Sequence, residues 1–186
     1  KNDSKMFMAM GNIGKTLDFM RGSCNVNGSF SRNESHLFSQ SQAVNSVSTG
    51  WSVGGKISGS PCRWFSFDYR IDYSDSRLSM NGLSESWLST MENELGLTFI
   101  PHRKWQWTVS GEHYRNELTE NSYKNIVLLD TRLTYQLNKK IEFAASLTNI
   151  LDRRSYNYTT YSELSSFESQ RQLRGRQLLF SITLRK

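Results

Sequence analysis

The chain has 186 residues, of which 37% are hydrophobic and 12% aromatic, and its 23 Lys and Arg against 17 Asp and Glu leave a formal net charge of +6. The aromatic content excludes a disordered chain. The longest aliphatic run, residues 126–129, excludes a transmembrane helix, which needs about 20 apolar residues. Basic residues are spread along the chain rather than gathered in one stripe, which indicates that nucleic acid is not a partner. A membrane-spanning strand is not excluded, because it needs only alternate apolar residues over about 9–11 positions.

Alternation with a period of two residues dominates the clearer segments of the chain. Between residues 65 and 74, Phe, Phe, Tyr, Ile and Tyr alternate with Ser, Asp, Arg, Asp and Ser, and residues 127–137, 141–148 and 177–184 alternate in a similar way. Successive side chains of a strand lie on opposite faces, so each segment predicts a strand with one apolar and one polar face. No stretch sustains the 3.6-residue period of a helix, and the predicted fold class is all-β.

Nine antiparallel strands are predicted, with short and long connections alternating between them. The strands are expected near residues 4–14, 18–32, 46–60, 64–75, 85–100, 104–115, 124–137, 140–161 and 167–185. The short turns are expected near residues 14–17, 60–63, 101–104 and 137–140, and the long polar connections near 33–46, 75–84, 115–124 and 163–166. This alternation is typical of outer-membrane β-barrels, which have short periplasmic turns and longer external loops.

Tryptophans mark the ends of several predicted strands. Trp64 and Trp105 directly follow short turns, whereas Trp51 and Trp87 begin the apolar alternation after long connections. Amphipathic rings at both ends of membrane-spanning strands would form the two interfacial girdles of a barrel. The alternative is that these rings belong to the core of a soluble β-sandwich. The charged alternation within residues 68–72 favours a water-filled lumen.

The direction of the strands indicates that the chain is part of a larger barrel. The last of nine strands would end on the periplasmic side, which puts the first residue on the external side. Single-chain bacterial barrels have an even number of strands, with both termini normally periplasmic. Residues 1–186 are therefore expected to be the C-terminal portion of an outer-membrane β-barrel domain, either processed, truncated or cut from a longer product.

Two stretches near the end of the chain resemble motifs of one family. Residues 147–156, Leu-Thr-Asn-Ile-Leu-Asp-Arg-Arg-Ser-Tyr, resemble a stretch of the penultimate strand in TonB-dependent outer-membrane receptors, and residues 175–182, Gly-Arg-Gln-Leu-Leu-Phe-Ser-Ile, resemble that family's closing strand. The usual terminal aromatic residue is replaced by Leu184, Arg185 and Lys186, which departs from the family's C-terminal signal for barrel insertion. The matching motif residues are Asn149, Ile150, Leu151, Asp152, Arg153, Tyr156, Gly175 and Arg176.

The resemblance implies an antiparallel transmembrane barrel of about 22 strands in the outer membrane of a Gram-negative bacterium. It also implies uptake of a scarce ligand, such as a siderophore complex, a vitamin or a glycan, with energy supplied through TonB. The family's plug domain and TonB-contacting segment would lie upstream of residue 1. The implied partners are outer-membrane lipids, the missing barrel strands and plug, TonB through that plug, and a small ligand.

Two other functions stay open at this point. One is a structural or adhesive outer-membrane β-barrel protein without TonB coupling, and the other is a soluble all-β carbohydrate-binding module. The sequence upstream of this chain separates the first alternative from a receptor, because only a receptor would carry a plug. Cell fractionation separates the second, because the module would stay soluble.

No pattern in the chain indicates catalysis, a cofactor or a metal site, and no enzyme activity is expected. Residues 9–16, Ala-Met-Gly-Asn-Ile-Gly-Lys-Thr, fit a relaxed phosphate-loop pattern, but strand-like alternation follows where such a loop requires a helix. We interpret this stretch as a turn containing glycine. His36, His102 and His113 lack the spacing of a zinc site, and no Gly-x-Ser-x-Gly elbow occurs.

Basic and aromatic residues gather around the last long connection. They are expected where the last two strands rise above the membrane, as an external patch that includes Arg153, Tyr156 and Arg176. Such a patch could contact an anionic ligand or lipopolysaccharide phosphate through charge-assisted hydrogen bonds. Cross-strand pairing with Glu163 and Glu168 is the alternative. The possible external ligand contacts are Arg154, Tyr158, Tyr161, Arg171 and Arg174.

Overall fold

The computed structural model of the chain describes residues 3–39, 42–84, 87–119, 122–161 and 166–185. The strands of these residues are β1 (Asp3–Leu17), β2 (Gly22–Ser39), β3 (Gln42–Cys62), β4 (Phe65–Met80), β5 (Leu83–Ser84), β6 (Leu88–His102), β7 (Trp105–Thr119), β8 (Ser122–Gln136), β9 (Ile141–Thr148), β10 (Ser155–Tyr161), β11 (Ser166–Gln172) and β12 (Gln177–Leu184). One short 3-10 turn, η1 (Asp18–Met20), lies between β1 and β2. The predicted all-β class is confirmed. No helix in the described part of the chain is long and apolar enough to cross a membrane.

Nine strands form one antiparallel sheet in the order β1-β2-β3-β4-β6-β7-β8-β9-β12. The short β5 pairs with the end of β4, and β10 pairs with β11 in a separate two-stranded sheet. Sheet neighbours therefore follow one another along the chain, except that the short β5 comes between β4 and β6, and β10 and β11 come between β9 and β12. Across the described residues β1 and β12 are the two edges, so the sheet is open. The predicted nine antiparallel strands are confirmed for this sheet.

The first turn lies further along the chain than predicted. Residues 14–17 complete β1, where Gly14 pairs with Asn25, and the chain reverses through η1 and Arg21. Arg21 adopts a left-handed backbone conformation with a φ of 47°, and its N–H donates to the carbonyl of Asp18 at 3.2 Å. The predicted turn at residues 14–17 is therefore wrong. The phosphate-loop-like stretch lies within a strand and lacks the strand-to-helix turn that binds phosphate.

The long polar connections are shorter than predicted, because the strands continue through them. β2 extends to Ser39, and β3 begins at Gln42. Backbone N–H and C=O groups pair along these ladders whatever the side chains, so Ser- and Asn-rich stretches can extend a hairpin beyond its apolar part. After β4 the chain turns through Asn81 and Gly82, both with positive φ. The connection predicted at residues 163–166 lies, except for its last residue, outside the described residues.

The register divides the sheet into an apolar face and a polar face. Directly paired residues share a face, so away from the bulges the apolar face carries the odd-numbered residues of most strands and the even-numbered residues of β2 and β12. One row of the apolar face joins Trp107, Leu133, Ala145 and Phe180. The intervening residues form the polar face, among them Asn27, Lys56, Arg70, Asp72, Glu94 and Arg132. The predicted two-faced strands are confirmed.

An aromatic row crosses the apolar face at the end where the short turns lie, which we call the short-turn end. Phe65, Phe99 and Trp107 lie side by side on β4, β6 and β7, with neighbouring ring centroids 5.0 and 5.4 Å apart. Trp105 and Tyr135 continue the row on β7 and β8, with ring centroids 4.5 Å apart. These contacts bring rings from four consecutive strands of the sheet to one level.

A second group of rings lies at the opposite end of the apolar face. Phe7 and Phe30 contact each other across β1 and β2 with ring centroids 6.1 Å apart, and Trp51 and Tyr73 contact each other across β3 and β4 at 5.3 Å. Trp87 lies just before β6, outside the strands. Aromatic residues thus occupy both ends of the apolar face, as predicted for their positions along the strands.

Buried apolar side chains lie on the polar face. Leu78, Leu88, Ile126 and Ala144 are the buried apolar residues of the described chain, and each has an even number on a strand whose odd-numbered residues form the apolar face. Residues of the apolar face are more exposed to solvent: Val53, which lies on the internal strand β3, is 49% exposed. A contiguous apolar surface of this kind marks a membrane or a partner interface.

The strands predicted at residues 140–161 and 167–185 are both interrupted, so their continuity was predicted wrongly. After β9, Asn149 and Asp152 have φ angles of 50° and 51°. This left-handed conformation ends the extended strand. The chain then forms the β10–β11 hairpin, which is a separate sheet, and β12 begins only at Gln177.

Candidate functional site: the Asn149 corner

The residues that carry the family resemblance meet where β9 ends and β12 begins. We call residues 149–154 and 173–176 together the Asn149 corner. Backbone hydrogen bonds tie its two segments to the sheet and to each other. The N–H of Ile150 donates to the carbonyl of Leu129 at 2.8 Å, and the N–H of Leu173 donates to the carbonyl of Arg154 at 2.9 Å.

Asn149 is at the centre of the corner and is 9% exposed. Its Nδ2 donates to the carbonyls of Arg153 and Arg174 at 2.7 and 2.8 Å, and its Oδ1 accepts the N–H of Arg153 at 2.9 Å. Its own N–H donates to Oδ1 of Asp130 on β8 at 2.7 Å. The side chain of Asn149 therefore joins both segments of the corner, and the backbone N–H of Asn149 anchors the corner to the polar face.

Asp152 makes the second connection between the two segments. Its Oδ1 accepts the N–H of Arg176 at 2.9 Å, and its Oδ2 accepts a hydrogen bond from Nη2 of Arg154 at 3.2 Å. The backbone N–H of Arg176, followed by the Arg154 side chain, lowers the pKa of the Asp152 carboxyl below its ordinary value. Gly175 leaves room for this carboxylate, because a Cβ there would lie 2.8 Å from Oδ1.

The β10–β11 hairpin extends from the corner over the polar face. Tyr156 at the start of β10 accepts a hydrogen bond at its hydroxyl from Nδ2 of Asn116 at 2.9 Å. Its ring lies 5.5 Å from the ring of Tyr114, centroid to centroid. Both partners are even-numbered residues of β7 and therefore belong to the polar face. The hairpin is thus attached to the charged side of the sheet.

A recess of about 200 Å³ lies on the polar face beside the corner. Six residues with polar or charged side chains and two leucines line it. They are Ser110, Glu112, Leu128, Asp130, Thr148, Asn149, Leu173 and Arg174. The polar side chains can hydrogen-bond a polar ligand, and Arg174 can also pair with an anionic group.

The structure brings seven of the eight motif residues together in the corner, although the first and the last are 27 positions apart in the chain. The eighth, Tyr156, lies on β10 and contacts β7. Asn149, Asp152, Gly175 and Arg176 form the connections described above, and Leu151 is 42% exposed. Of the five predicted ligand contacts, the structure describes the side chains of the three arginines. Arg174 lines the recess, whereas Arg154 pairs with Asp152 and Arg171 lies on β11 opposite Tyr156 in the register. The side chains of Tyr158 and Tyr161 lie outside the described part of the structure. The predicted external patch stays a prediction.

Sequence reasoning missed the polar-face residues of the site. Ser110, Glu112 and Tyr114 lie in the strand predicted at residues 104–115, and Asn116 lies in the connection predicted at residues 115–124. Nothing local in β7 indicates that a distant hairpin covers these residues. Asn149 followed by Asp152 was the usable signal, because Asn and Asp adopt left-handed conformations more readily than most residues. Two such residues within one strand pattern indicate a break.

The recess offers hydrogen-bonding and charged groups to a ligand. Among the described residues no group of three or more His, Cys, Asp or Glu side chains could hold a metal ion. No family model, no curated protein and no solved structure matches the chain. The likeness to TonB-dependent receptors therefore rests on the motif residues alone.

Proposed function

We propose that the chain is the C-terminal part of the wall of an outer-membrane β-barrel, in a receptor that takes up a scarce ligand with energy supplied through TonB. The observation that carries this proposal is the nine-stranded antiparallel sheet with one apolar, aromatic-edged face and one polar, charged face. A soluble sheet covers its apolar face with a second layer. Here Val53, Trp107 and Leu133 of that face are each more than 40% exposed.

The height of the apolar face suits a bilayer. On β4 the apolar alternation runs from Phe65 to Tyr73, eight residue steps, or about 27 Å along the strand at about 3.4 Å per residue. With a strand tilt of about 40°, this length crosses about 21 Å along the membrane normal, close to the apolar band of about 25 Å in known barrels. The two aromatic rows would then lie at the two interfaces.

The polar face would line the lumen of the barrel. Arg70 and Asp72 form an ion pair there, and Lys56 and Glu94 flank Arg70 on the two neighbouring strands. Such a surface is costly in lipid but stable in a water-filled interior. The apolar and polar faces therefore divide as the exterior and interior of a barrel wall do.

The transport part of the proposal rests on the family resemblance and on the place where its residues meet. The Asn149 corner holds the β10–β11 hairpin against the polar face, so hairpin and recess would lie along the path of a ligand through the lumen. Glu112, Asp130 and Arg174 would offer that ligand charged hydrogen-bonding groups. The proposed role involves no enzymatic step.

Fractionation and uptake together test this function. The native protein is expected in the outer-membrane fraction, and cells without it are expected to grow poorly when one scarce nutrient limits growth, as cells without TonB do. A product that stays soluble after membranes are pelleted would contradict the barrel and favour the carbohydrate-binding module. Membrane location with uptake independent of TonB would favour the structural or adhesive barrel.

Variants in the recess sharpen the uptake experiment. Arg174→Ala removes a guanidinium from the recess and is expected to slow uptake without changing the amount of protein in the membrane. Lys15→Ala removes a cation from β1, far across the sheet, and serves as the control. Equal uptake by the two variants would show that the recess is not on the ligand path.

A further inference from the structure

A hydrophobic groove crosses the apolar face beside β12. It consists of two adjoining hollows of about 280 and 310 Å³ that share Leu133 and Ala145. Ala145 forms its floor, because the register sets this small residue between Leu133 on β8 and Phe180 on β12. Phe143 and Leu147, the next apolar-face residues of β9, bound the floor along the strand.

Ordered aromatic side chains form one wall of the groove. The indole Nε1 of Trp107 donates to Oγ1 of Thr131 at 2.7 Å, which satisfies its polar atom and fixes the ring plane. Trp105 packs on Tyr135, with ring centroids 4.5 Å apart. The wall therefore presents apolar ring surface to the groove.

Cations gather at the short-turn end of the groove. We call Arg103, Lys104, Lys139 and Lys140 the basic turn cluster. A backbone hydrogen bond ties its two turns to each other: the carbonyl of Lys104 accepts the N–H of Gln136 at 2.8 Å. Arg185 lies next to Lys140, whose carbonyl accepts its N–H at 2.8 Å, but its guanidinium pairs with Glu142 of the polar face at 2.8 Å. The four cations of the cluster leave this end of the groove positive.

We propose that the groove and the basic turn cluster form a binding site for an anionic glycerophospholipid of the surrounding membrane. An acyl chain occupies the groove above Ala145, and the phosphate lies at the basic turn cluster. The charge complementarity selects an anionic lipid over a zwitterionic one, since each cation near a membrane surface contributes about 1 kcal/mol, or about a fivefold preference. This inference rests on the proposed membrane location and adds a specific lipid to it.

Native mass spectrometry of the full-length protein tests the site. The protein is reconstituted in vesicles of equal parts phosphatidylglycerol and phosphatidylcholine, extracted in mild detergent, and analysed for retained lipid. The wild-type protein is expected to retain phosphatidylglycerol at least fivefold over phosphatidylcholine. Equal retention of the two lipids would overturn the inference. A protein that does not enter the vesicles would overturn the proposed function and the inference with it.

Paired variants assign the retained lipid to this site. Ala145→Phe fills the floor of the groove and is expected to abolish retention, whereas Ala9→Phe makes the same change on the apolar face of β1 and is expected to leave it intact. Lys104→Gln combined with Lys140→Gln is expected to remove most of the preference for phosphatidylglycerol, because each cation contributes about fivefold. Lys15→Gln, at the short-turn end of β1, is the charge control.

Two further results would contradict the site. Equal lipid retention by Ala145→Phe and Ala9→Phe would show that the lipid lies elsewhere. Vesicles that also contain lipopolysaccharide provide the second measurement. Preferential retention of lipopolysaccharide that is lost in the double lysine variant would assign the cluster to lipid A phosphates and overturn the inference for a glycerophospholipid.

Discussion

The carboxylate of Asp152 accepts a hydrogen bond from the backbone N–H of Arg176 at 2.9 Å, across 24 residues of chain. This bond closes the base of the β10–β11 hairpin, because Asp152 precedes β10 and Arg176 follows β11. Asn149 joins the same two segments through the carbonyl of Arg174. The two halves of the family resemblance are therefore parts of one hydrogen-bonded corner.

Asn149→Ala is expected to destabilise the protein by about 2–4 kcal/mol. The change removes three side-chain hydrogen bonds in a site that is 9% exposed, and each buried group left without a partner costs about 1–3 kcal/mol. Equilibrium urea unfolding in micelles measures the effect. Asn12→Ala, which removes a single exposed hydrogen bond to Asn25, is expected to cost less than about 0.5 kcal/mol. Similar losses in the two variants would contradict the central role of Asn149.

Gly175→Ala is expected to destabilise the corner by about 0.5–1.5 kcal/mol, the net contribution of one hydrogen bond. Its Cβ would lie 2.8 Å from Oδ1 of Asp152, so the carboxylate must move away from the N–H of Arg176. Gly11→Ala on β1 is the control, because a Cβ there meets nothing within 4 Å. A double-mutant cycle with Asp152→Ala measures the coupling. Additive free energies of unfolding would rule out the proposed clash.

The Asp152 carboxyl is expected to titrate below its ordinary pKa of 3.8. Its charged form accepts the N–H of Arg176 and the Nη2 of Arg154, which lowers the pKa. A carboxyl with a lowered pKa stabilises the fold above its ordinary value, and this contribution disappears as the pH falls through the folded value. The corner should therefore weaken only in acid. Carboxyl ¹³C chemical shifts recorded over a range of pH measure the titration midpoint of Asp152. Arg154→Gln should raise this midpoint. A wild-type midpoint at or above 3.8 would contradict the hydrogen-bonding assignment.

The sheet was largely predictable because its pattern is local. Side chains alternate faces at every residue, so Phe65, Phe67 and Tyr69 identify an apolar face without knowledge of any partner strand. Short turns such as the one after His102 lie where polar and proline residues interrupt this alternation. Strand ends were predicted less well, because Ser- and Asn-rich stretches continue the ladder through backbone hydrogen bonds that leave no apolar signal.

The corner could not be predicted because its contacts are distant in sequence. Asn149 interacts with Arg174, and Tyr156 interacts with Asn116 on β7, across 25 and 40 residues. No periodicity encodes such pairs. The family resemblance identified the corner residues without a physical reason for them. Their hydrogen bonds now supply one: they end two strands and hold a hairpin on the polar face.

Tyr156→Phe is expected to loosen the β10–β11 hairpin at a cost of about 1–2 kcal/mol. The change leaves the ring on Tyr114 but removes the acceptor for the amide of Asn116, which is only 7% exposed. The rate of limited proteolysis within the hairpin measures this loosening, and it is expected to rise. Tyr123→Phe is the control, because its ring stays beneath the guanidinium of Arg115, 4.1 Å from the centroid. Unchanged proteolysis of the Tyr156 variant would show that the hydroxyl does not hold the hairpin.

Phe143→Arg is expected to impair membrane insertion by about 2–4 kcal/mol, the cost of an arginine on the lipid face of a barrel. Phe143 lies on the apolar face of β9 and pairs with Tyr135 and Ile182. Thr134→Arg introduces the same side chain in the adjacent row on the polar face, where a lumen would keep it hydrated. Urea-dependent folding into vesicles, followed by gel mobility, gives the two free energies. A barrel wall requires a large difference between them. Equal costs would mean that the two faces meet the same surroundings, and the assignment of the apolar face to lipid would be wrong.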